Sequence, residues 1–455
     1  MTADPFMLGI SGCRGIVGST MTADVAARLA ACWGERLVAA TKDPLVVLGR
    51  DSRPSGEEFA AAAAAGLHHV GCRVVDVGIV ATPTVGVAIG ALGADGGVLI
   101  TASHNPGEWN GIKLLDRQGT APPIALAGEI VERYHAGGPD GVDSAALVEV
   151  GTDSRANDTH VSKVLGRIPP GRVQTMAPRV LLDSVRGAGG PAGRHLLKAM
   201  GCDVVHLEAE PDGLFPRPPE PTADNLAHLG PRVIEHGAVV GFVQDPDADR
   251  MAILDERGRY IGEEYTLALG AWAVLRGTSG AATAANLSTS RMIDDVAARF
   301  GATVHRSAVG EANVAEAMRT HGAIVGGEGN GGVILPDVTW VRDSLSSMAL
   351  VLDLMAAEGR SISELVDAIP RYTMIKRKVP LASRDELAPA LDMLRTAFAG
   401  ERIDDSDGVR IDLEEGWVHL RPSNTEPIAR LIAEAADEPA AEALVNRVAK
   451  AAGLS

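Results

Sequence analysis

At 455 residues, with 46% apolar and 22% charged side chains, the chain has an ordinary soluble composition but is too long for one hydrophobic core, so about three or four domains are expected. A formal net charge of −17 excludes nucleic acid and anionic membranes as ready partners, and any anionic substrate must meet a local basic pocket. Cys13, Cys32, Cys72 and Cys202 are scattered, with no Cys-x-x-Cys pair, which suits a reducing cytoplasm better than a disulfide framework or a zinc site. The longest apolar stretches, such as Thr266 to Leu275, fall well short of the ~20 residues that span a bilayer, and no export signal is read at the N-terminus.

In chain order, Leu45-Val46-Val47-Leu48, Arg73 to Val77 and Gly97 to Ile100 are short apolar runs separated by Ala-rich segments of helical length that start near Ser55 and Pro83. That alternation predicts βαβαβ and a mostly parallel sheet. It returns at Arg179 to Asp183, a helix through Leu196, Asp203 to Leu207, and Ala238 to Val243, and again from Ala281 to Leu287 through helices near Ile293 and Val314 to Gly322-Ala323-Ile324-Val325. Candidate joints are the polar stretch Gly151 to Thr159 with Pro169-Pro170, the Asp255 to Gly258 turn, and the region Pro370 to Lys378. The remaining piece has strand-like segments at Val409 to Leu413 and Trp417 to Leu420 and an Ala-rich final helix, and reads as a small α+β unit.

Chemistry concentrates in loops that follow these strands. Thr101-Ala102-Ser103-His104-Asn105-Pro106 puts a hydroxyl in a turn directly after a buried-looking strand, and Gly107 to Lys113 brings a lysine back toward it. A lone serine there could simply cap the turn. As a nucleophile it needs a group to take or return its proton, for which Lys113 and His104 are the local candidates. Asp245-Pro246-Asp247-Ala248-Asp249-Arg250 carries three carboxylates at alternate positions, a crowding that is stabilising only around a cation. Hard oxygen ligands favour Mg²⁺ over zinc, and Arg250 beside them suits the oxygens of a transferring phosphoryl group. In Gly326 to Gly332, Glu328 and Asn330 suit a hydroxyl-rich ligand, although a ligand-free glycine turn is the commoner explanation of such a string alone. Arg421-Pro422-Ser423-Asn424-Thr425-Glu426-Pro427, with Arg430 behind it, has the guanidinium, hydroxyls and amide that hold a phosphate. Arg14, between the glycines of Ser11 to Gly18, could reach a phosphate, and Arg50-Asp51 reads as a structural ion pair.

These four loops, TASHNP, DPDADR, GEGNGG and RPSNTEP, occur in an order and at a spacing by which the chain resembles the α-D-phosphohexomutases over essentially its whole length. The family includes phosphoglucosamine mutase, phosphomannomutase and phosphoglucomutase, and the archaeal-type phosphoglucosamine mutases are closest in look. The resemblance implies three similar α/β modules with mixed, mostly parallel sheets plus a smaller C-terminal α+β domain, arranged round a central cleft. With the joints above, the domains become 1–152 with the phosphoserine loop, 153–255 with the metal loop, 256–370 with the sugar loop, and 371–455 with the phosphate loop.

It further implies that Ser103 is the phosphoserine and binds one Mg²⁺ together with Asp245, Asp247 and Asp249. Lys113 and Arg14 would transfer protons and orient phosphate, with Arg250 in support, and His104 stays a catalytic candidate from its place in the serine loop. Glu328 and Asn330 would hold the sugar, and Arg421, Ser423, Asn424, Thr425 and Arg430 its phosphate. The implied reaction interconverts hexose 6-phosphate and hexose 1-phosphate through a 1,6-bisphosphate, which also serves as activator. The expected partner is a small hexose phosphate, with no nucleic acid or membrane, in a monomer or homodimer. Glucosamine phosphate is the preferred substrate, with mannose or glucose phosphate as the alternative. A phosphatase with an aspartate nucleophile would leave Ser103 and the Arg421 loop without work, and a non-catalytic sugar-phosphate sensor would be expected to carry a defective serine or metal loop. Many members have serine at the position of Asn330 and histidine at that of Gly332, and Val341-Arg342-Asp343-Ser344 stands where Gly-Arg-Asp-Gly is more usual.

Overall fold

Leu45–Arg50 lies parallel to Arg73–Ile79 on one side and to Gly96–Ile100 on the other, the arrangement that continuous apolar strands joined by helices dictate. The computed structural model describes residues 5–10, 12–380, 387–423 and 428–454. These three strands are the parallel centre of a seven-stranded mixed sheet. Trp109–Asp116 returns antiparallel on Gly96–Ile100 and carries Gly12–Ile16 and then Phe6–Gly9, also antiparallel. The connecting helix Gly56–His69 holds six consecutive alanines, the best helix formers, with Glu57 and Glu58 in its first turn where the helix dipole favours negative charge. It packs on Ala23–Ala40 so closely that a Cβ on Gly66 would stand 2.0 Å from the Ala27 carbonyl oxygen. Trp33, Phe59 and Leu67 fill the resulting core, each contributing roughly 1.5–3 kcal/mol by burial.

The described residues form two compact units, Met1–Val274 with Asn330–Val366, and Leu275–Gly329 with Asp367–Ser455. The first unit contains the seven-stranded sheet and a four-stranded one in the order Met251–Asp255, Val240–Gln244, Arg179–Asp183, Asp203–Leu207, of which only Met251–Asp255 runs antiparallel. It also contains the helix Ser344–Glu358, N-capped by Asp343, whose carboxylate accepts from the Leu345 and Ser346 amides.

In the second unit, Ala282–Asn286 lies parallel between Thr303–Ser307 and Val325–Glu328. A separate, wholly antiparallel sheet runs Thr373–Pro380, Ile428–Ala435, Gly416–Pro422, Val409–Asp412, Arg402–Asp404, covered by helices Leu387–Ala397 and Glu438–Ala451. The expected α/β modules with mixed sheets and a C-terminal domain of different character are therefore present. Among the described residues no helix is long and apolar enough to cross a membrane.

Two expectations need correcting. The run Gly322 to Val325 is not a strand throughout: Gly322, at φ 64, is the left-handed cap of helix Glu311–His321, and the strand begins at Val325. The stretch Gly151 to Thr159 is not a bare joint, because Gly151–Thr152 pairs with Val75 and Asp76 as an edge strand and helix Ala156–Arg167 starts soon after.

Candidate active site

Val240–Gln244 is buried at every position and Met251–Asp255 pairs back on it with Gln244 opposite Met251, so Asp245 to Arg250 are the loop of a hairpin. Ala248 closes that loop at φ 52, a left-handed conformation costing a non-glycine residue about 1–2 kcal/mol, which the surrounding packing offsets. Part of that packing is backbone approach: a Cβ on Gly187 would lie 2.6 Å from the Pro246 carbonyl oxygen. Asp245, Asp247 and Asp249 are all fully buried, and one oxygen of each lies within 4.8 Å of the others.

Cations and a hydroxyl from several elements converge on these carboxylates. Lys113 Nζ donates to Asp247 Oδ2 at 2.6 Å and to Asp249 Oδ2 at 3.0 Å, and Thr82 Oγ donates to the same Asp247 oxygen at 2.6 Å. Arg342 Nη2 donates to Asp249 Oδ2 at 2.9 Å, and Arg250 Nε lies 3.3 Å from Asp245 Oδ2. Burial, then Asp249 and Asp247, push the Asp245 carboxyl up to about 7. Burial also works against charge on Asp249, but Arg342, Lys113 and Arg250 outweigh it and hold that carboxyl well below the ordinary range. Asp247 Oδ1 and Asp249 Oδ1 are buried with no hydrogen-bond partner among the described residues. Buried carboxylates with oxygens to spare fit a hard divalent cation such as Mg²⁺ and are a poor match for a soft one.

The serine loop is built by a different device. Gly96–Ile100 is buried throughout, and Thr101 continues it, its amide donating to Gly111 O at 3.0 Å. The chain then turns with Ser103 at φ 51 and re-enters the sheet at Trp109. Arg53, fully buried, holds this turn from inside. Its Nη1 donates to the carbonyls of Pro106 (2.6 Å) and Trp109 (3.0 Å), and its Nη2 to those of Ser103 and Asn105, both at 2.6 Å. Asp51 accepts from Arg53 Nε at 3.1 Å and from Thr101 Oγ at 2.6 Å, so one carboxylate orients both the guanidinium and the base of the loop. The structural ion pair is thus Asp51–Arg53 and not Arg50–Asp51.

The outcome is that Ser103 Oγ points at the acidic loop, donating to Asp245 Oδ2 at 3.3 Å. His104 Nδ1 lies 3.3 Å from the same hydroxyl, and burial, followed by the charges of Arg250 and Arg14, pushes this imidazole down to about 2, so it is neutral. Arg14, opposite Gly111 in the neighbouring strand, donates from Nη1 to Asn105 Oδ1 at 2.9 Å. Asn330 belongs to the same unit as these residues.

In the second unit, Glu328 ends a buried strand, and its Oε1 accepts from Asn286 Nδ2 at 2.8 Å and from the Gly310 amide at 3.2 Å. Arg421 is buried opposite Arg430 in the adjacent strand; its Nε donates to Asp407 Oδ2 at 2.9 Å, while its Nη2 has no partner among the described residues. Ser423 is buried, its amide donating to Ile428 O at 2.9 Å. Asn424 and Thr425 lie outside the described residues, as does Ser11 of the loop around Arg14. Sequence reading missed Arg53, Thr82 and the reach of Arg342. Arg342 stood in a stretch noted for departing from the usual pattern at Val341 and Ser344, but no partner was read for it, and nothing local marks Thr82.

Comparison with known proteins agrees with this arrangement along the chain. Models of the phosphoglucomutase/phosphomannomutase family match all four of its parts: alpha/beta/alpha domain I at residues 6–139, domain II at 158–258, domain III at 262–372 and the C-terminal domain at 374–451. A Thermococcus kodakarensis protein named phosphoglucomutase/phosphomannomutase is 38% identical over 437 residues, 95% of each chain. One from Methanopyrus kandleri, named probable phosphoglucosamine mutase, is 39% identical over 440 residues, 96% of this chain and 95% of that one. The crystal structure of a phosphoglucomutase/phosphomannomutase family protein from Burkholderia thailandensis superposes with a TM-score of 0.85 at 28% identity, over 98% of this chain and 97% of that one.

Proposed function

Because the chain belongs to the phosphoglucomutase/phosphomannomutase family, whose mutases are isomerases, we propose that it interconverts hexose 6-phosphate and hexose 1-phosphate through a phosphoserine at Ser103 and a 1,6-bisphosphate intermediate. The observation that carries this reading is the alcohol of Ser103 hydrogen-bonded to Asp245 inside a buried, cation-ringed carboxylate cluster.

In the first half-reaction a free hydroxyl of the sugar phosphate attacks the phosphorus of phospho-Ser103, the P–Oγ bond breaks, and the hydroxyl proton leaves to a base. In the second, Ser103 Oγ takes the phosphoryl group from the other end of the bisphosphate. Lys113 is assigned the proton transfer because its ammonium reaches the carboxylate cluster beside Ser103, and its partners Asp247 and Asp249 favour its charged form, which suits it to return a proton. Neutral His104 steadies the Ser103 hydroxyl without adding charge. Arg14 and Arg250 are assigned to orient phosphoryl oxygens. Mg²⁺ bound by Asp245, Asp247, Asp249 and Ser103 would neutralise charge on the group in flight. Glu328 and Asn330 are assigned to sugar hydroxyls, and Arg421, Ser423, Asn424, Thr425 and Arg430 to a phosphate.

Glucosamine phosphate is the preferred substrate, in keeping with the names of several relatives, and mannose or glucose phosphate is the alternative. The test is ³¹P NMR of purified protein with Mg²⁺, a trace of hexose 1,6-bisphosphate, and glucosamine, mannose or glucose 6-phosphate in turn. Glucosamine 1-phosphate should form fastest. Equal rates would contradict the substrate preference, and no 1-phosphate from any sugar would contradict the reaction.

A further inference from the structure

Arg342 approaches the acidic loop from the N-terminal end of helix Ser344–Glu358, on a backbone pinned from three sides. The Asp343 amide donates to Val333 O at 2.9 Å and the Ser344 amide to Ala248 O at 3.2 Å. The Asp343 carboxylate caps the helix and pairs with the buried His160 at 3.1 Å. From this anchor the Arg342 stem crosses directly over Gly332: a Cβ at that glycine would lie 2.1 Å from Arg342 Cδ, 2.6 Å from its Cγ and 3.0 Å from its Cβ. Clearance is therefore denied along the stem and not only at its flexible tip. What the glycine permits is contact between Arg342 Nη2 and Asp249 Oδ2 at 2.9 Å, on the oxygen that Lys113 also holds.

We propose that Arg342 is a built-in competitor for Asp249, a positioning residue that holds this carboxylate when no divalent cation is bound and keeps that cation exchangeable, and that Gly332 is its paired determinant by leaving the path open. The inference rests on the reading of Asp245, Asp247 and Asp249 as a divalent-cation site. Its physical basis is that a guanidinium on one of the three carboxylates opposes a second positive charge arriving there, both by holding Asp249 Oδ2, so that only Oδ1 is left to the cation, and by repulsion in a buried site where screening is weak. A residue serving only to hold the fold would have the opposite signature, since its loss would loosen Asp249 and weaken metal binding.

The test is titration of the full-length protein with Mn²⁺, followed by the electron paramagnetic resonance of the free ion, for the wild type, R342M, R342K, G332A and the double variant G332A/R342M. R342M should bind Mn²⁺ about five- to tenfold more tightly than the wild type, from the removal of one nearby positive charge. R342K, which keeps the charge, should stay near the wild-type affinity. G332A should shift in the same direction as R342M by displacing the guanidinium, and the double variant should add nothing further, because both changes remove one interaction. Unchanged or weaker binding in folded R342M, or additive effects in the double variant, would overturn the proposal. If the wild type itself bound no Mn²⁺, or Asp249→Asn left binding intact, the metal reading would fall and this inference with it.

Discussion

Ser103 and Asp245 meet only because two left-handed residues, Ser103 and Ala248, turn their loops toward each other, and each conformation has to be over-determined by its surroundings. For Ser103 that constraint is Arg53, one guanidinium serving four carbonyls. Arg53→Met should cost about 3–5 kcal/mol, measured by urea unfolding, because Asp51 is left as an unpaired buried charge. Arg53→Lys should rescue little, since an ammonium lacks the planar fork that reaches carbonyls on both sides; full rescue by lysine would show that charge alone matters. At Asp245 the sign of the pH effect follows from its raised carboxyl. The folded protein prefers this group protonated, so in EDTA the stability it contributes is full below the unfolded value of 3.8 and is lost as pH rises from there through about 7. Asp245→Asn should therefore melt higher than the wild type at pH 8 in EDTA and lose the stabilisation that Mg²⁺ gives the wild type. A lower melting temperature for the variant under those conditions would refute the electrostatic account.

Among elements, the buried strands were legible because continuous β-branched runs such as Val46-Val47 and Val74-Val75 have no other use, and the loops after them carried recognisable chemistry. Where the reading failed, local pattern and tertiary context parted. Ala323-Ile324-Val325 looks like a strand, yet Gly322 before it caps a helix. Gly151–Thr152 is polar and only two residues long, so it carries no apolar signal. Arg50 was paired with Asp51 as its chain neighbour, but adjacent residues leaving a strand face opposite ways, and it is the i, i+2 partner Arg53 that shares a side with Asp51.

The C-terminal sheet supplies a prediction of its own. His419 is fully buried, with Nδ1 2.9 Å from Ser288 Oγ and Nε2 2.6 Å from the Asp407 carbonyl. The carbonyl can only accept, so Nε2 bears the proton and Nδ1 accepts from the hydroxyl, which satisfies the neutral ring. Burial accordingly pushes the imidazole down from 6.5 to about 4. A lowered histidine contributes stability that is present above the unfolded value and lost as pH falls from 6.5 towards 4, here about 3 kcal/mol. His419→Asn should flatten the fall in unfolding free energy between pH 7 and 4.5. An unchanged slope would assign the acid sensitivity elsewhere.

On the scale of the whole molecule, the family was legible because four loops of distinct chemistry recur in one order, while the choice of sugar was not, since the groups proposed for it, a carboxylate at Glu328 and an amide at Asn330, suit several hydroxyl patterns. Long-range partners were equally invisible: Thr82 and Arg342 reach Asp247 and Asp249 from far along the chain, and only folding joins them. The central claim is that the Ser103 hydroxyl alternates between free and esterified forms. Its most direct test is the intact mass of the full-length protein before and after exposure to a hexose 1,6-bisphosphate with Mg²⁺. The account predicts a single added phosphoryl group of about 80 Da, absent from Ser103→Ala. A phosphoryl adduct that persists in Ser103→Ala, or isomerisation by that variant at the wild-type rate with no adduct at all, would contradict it.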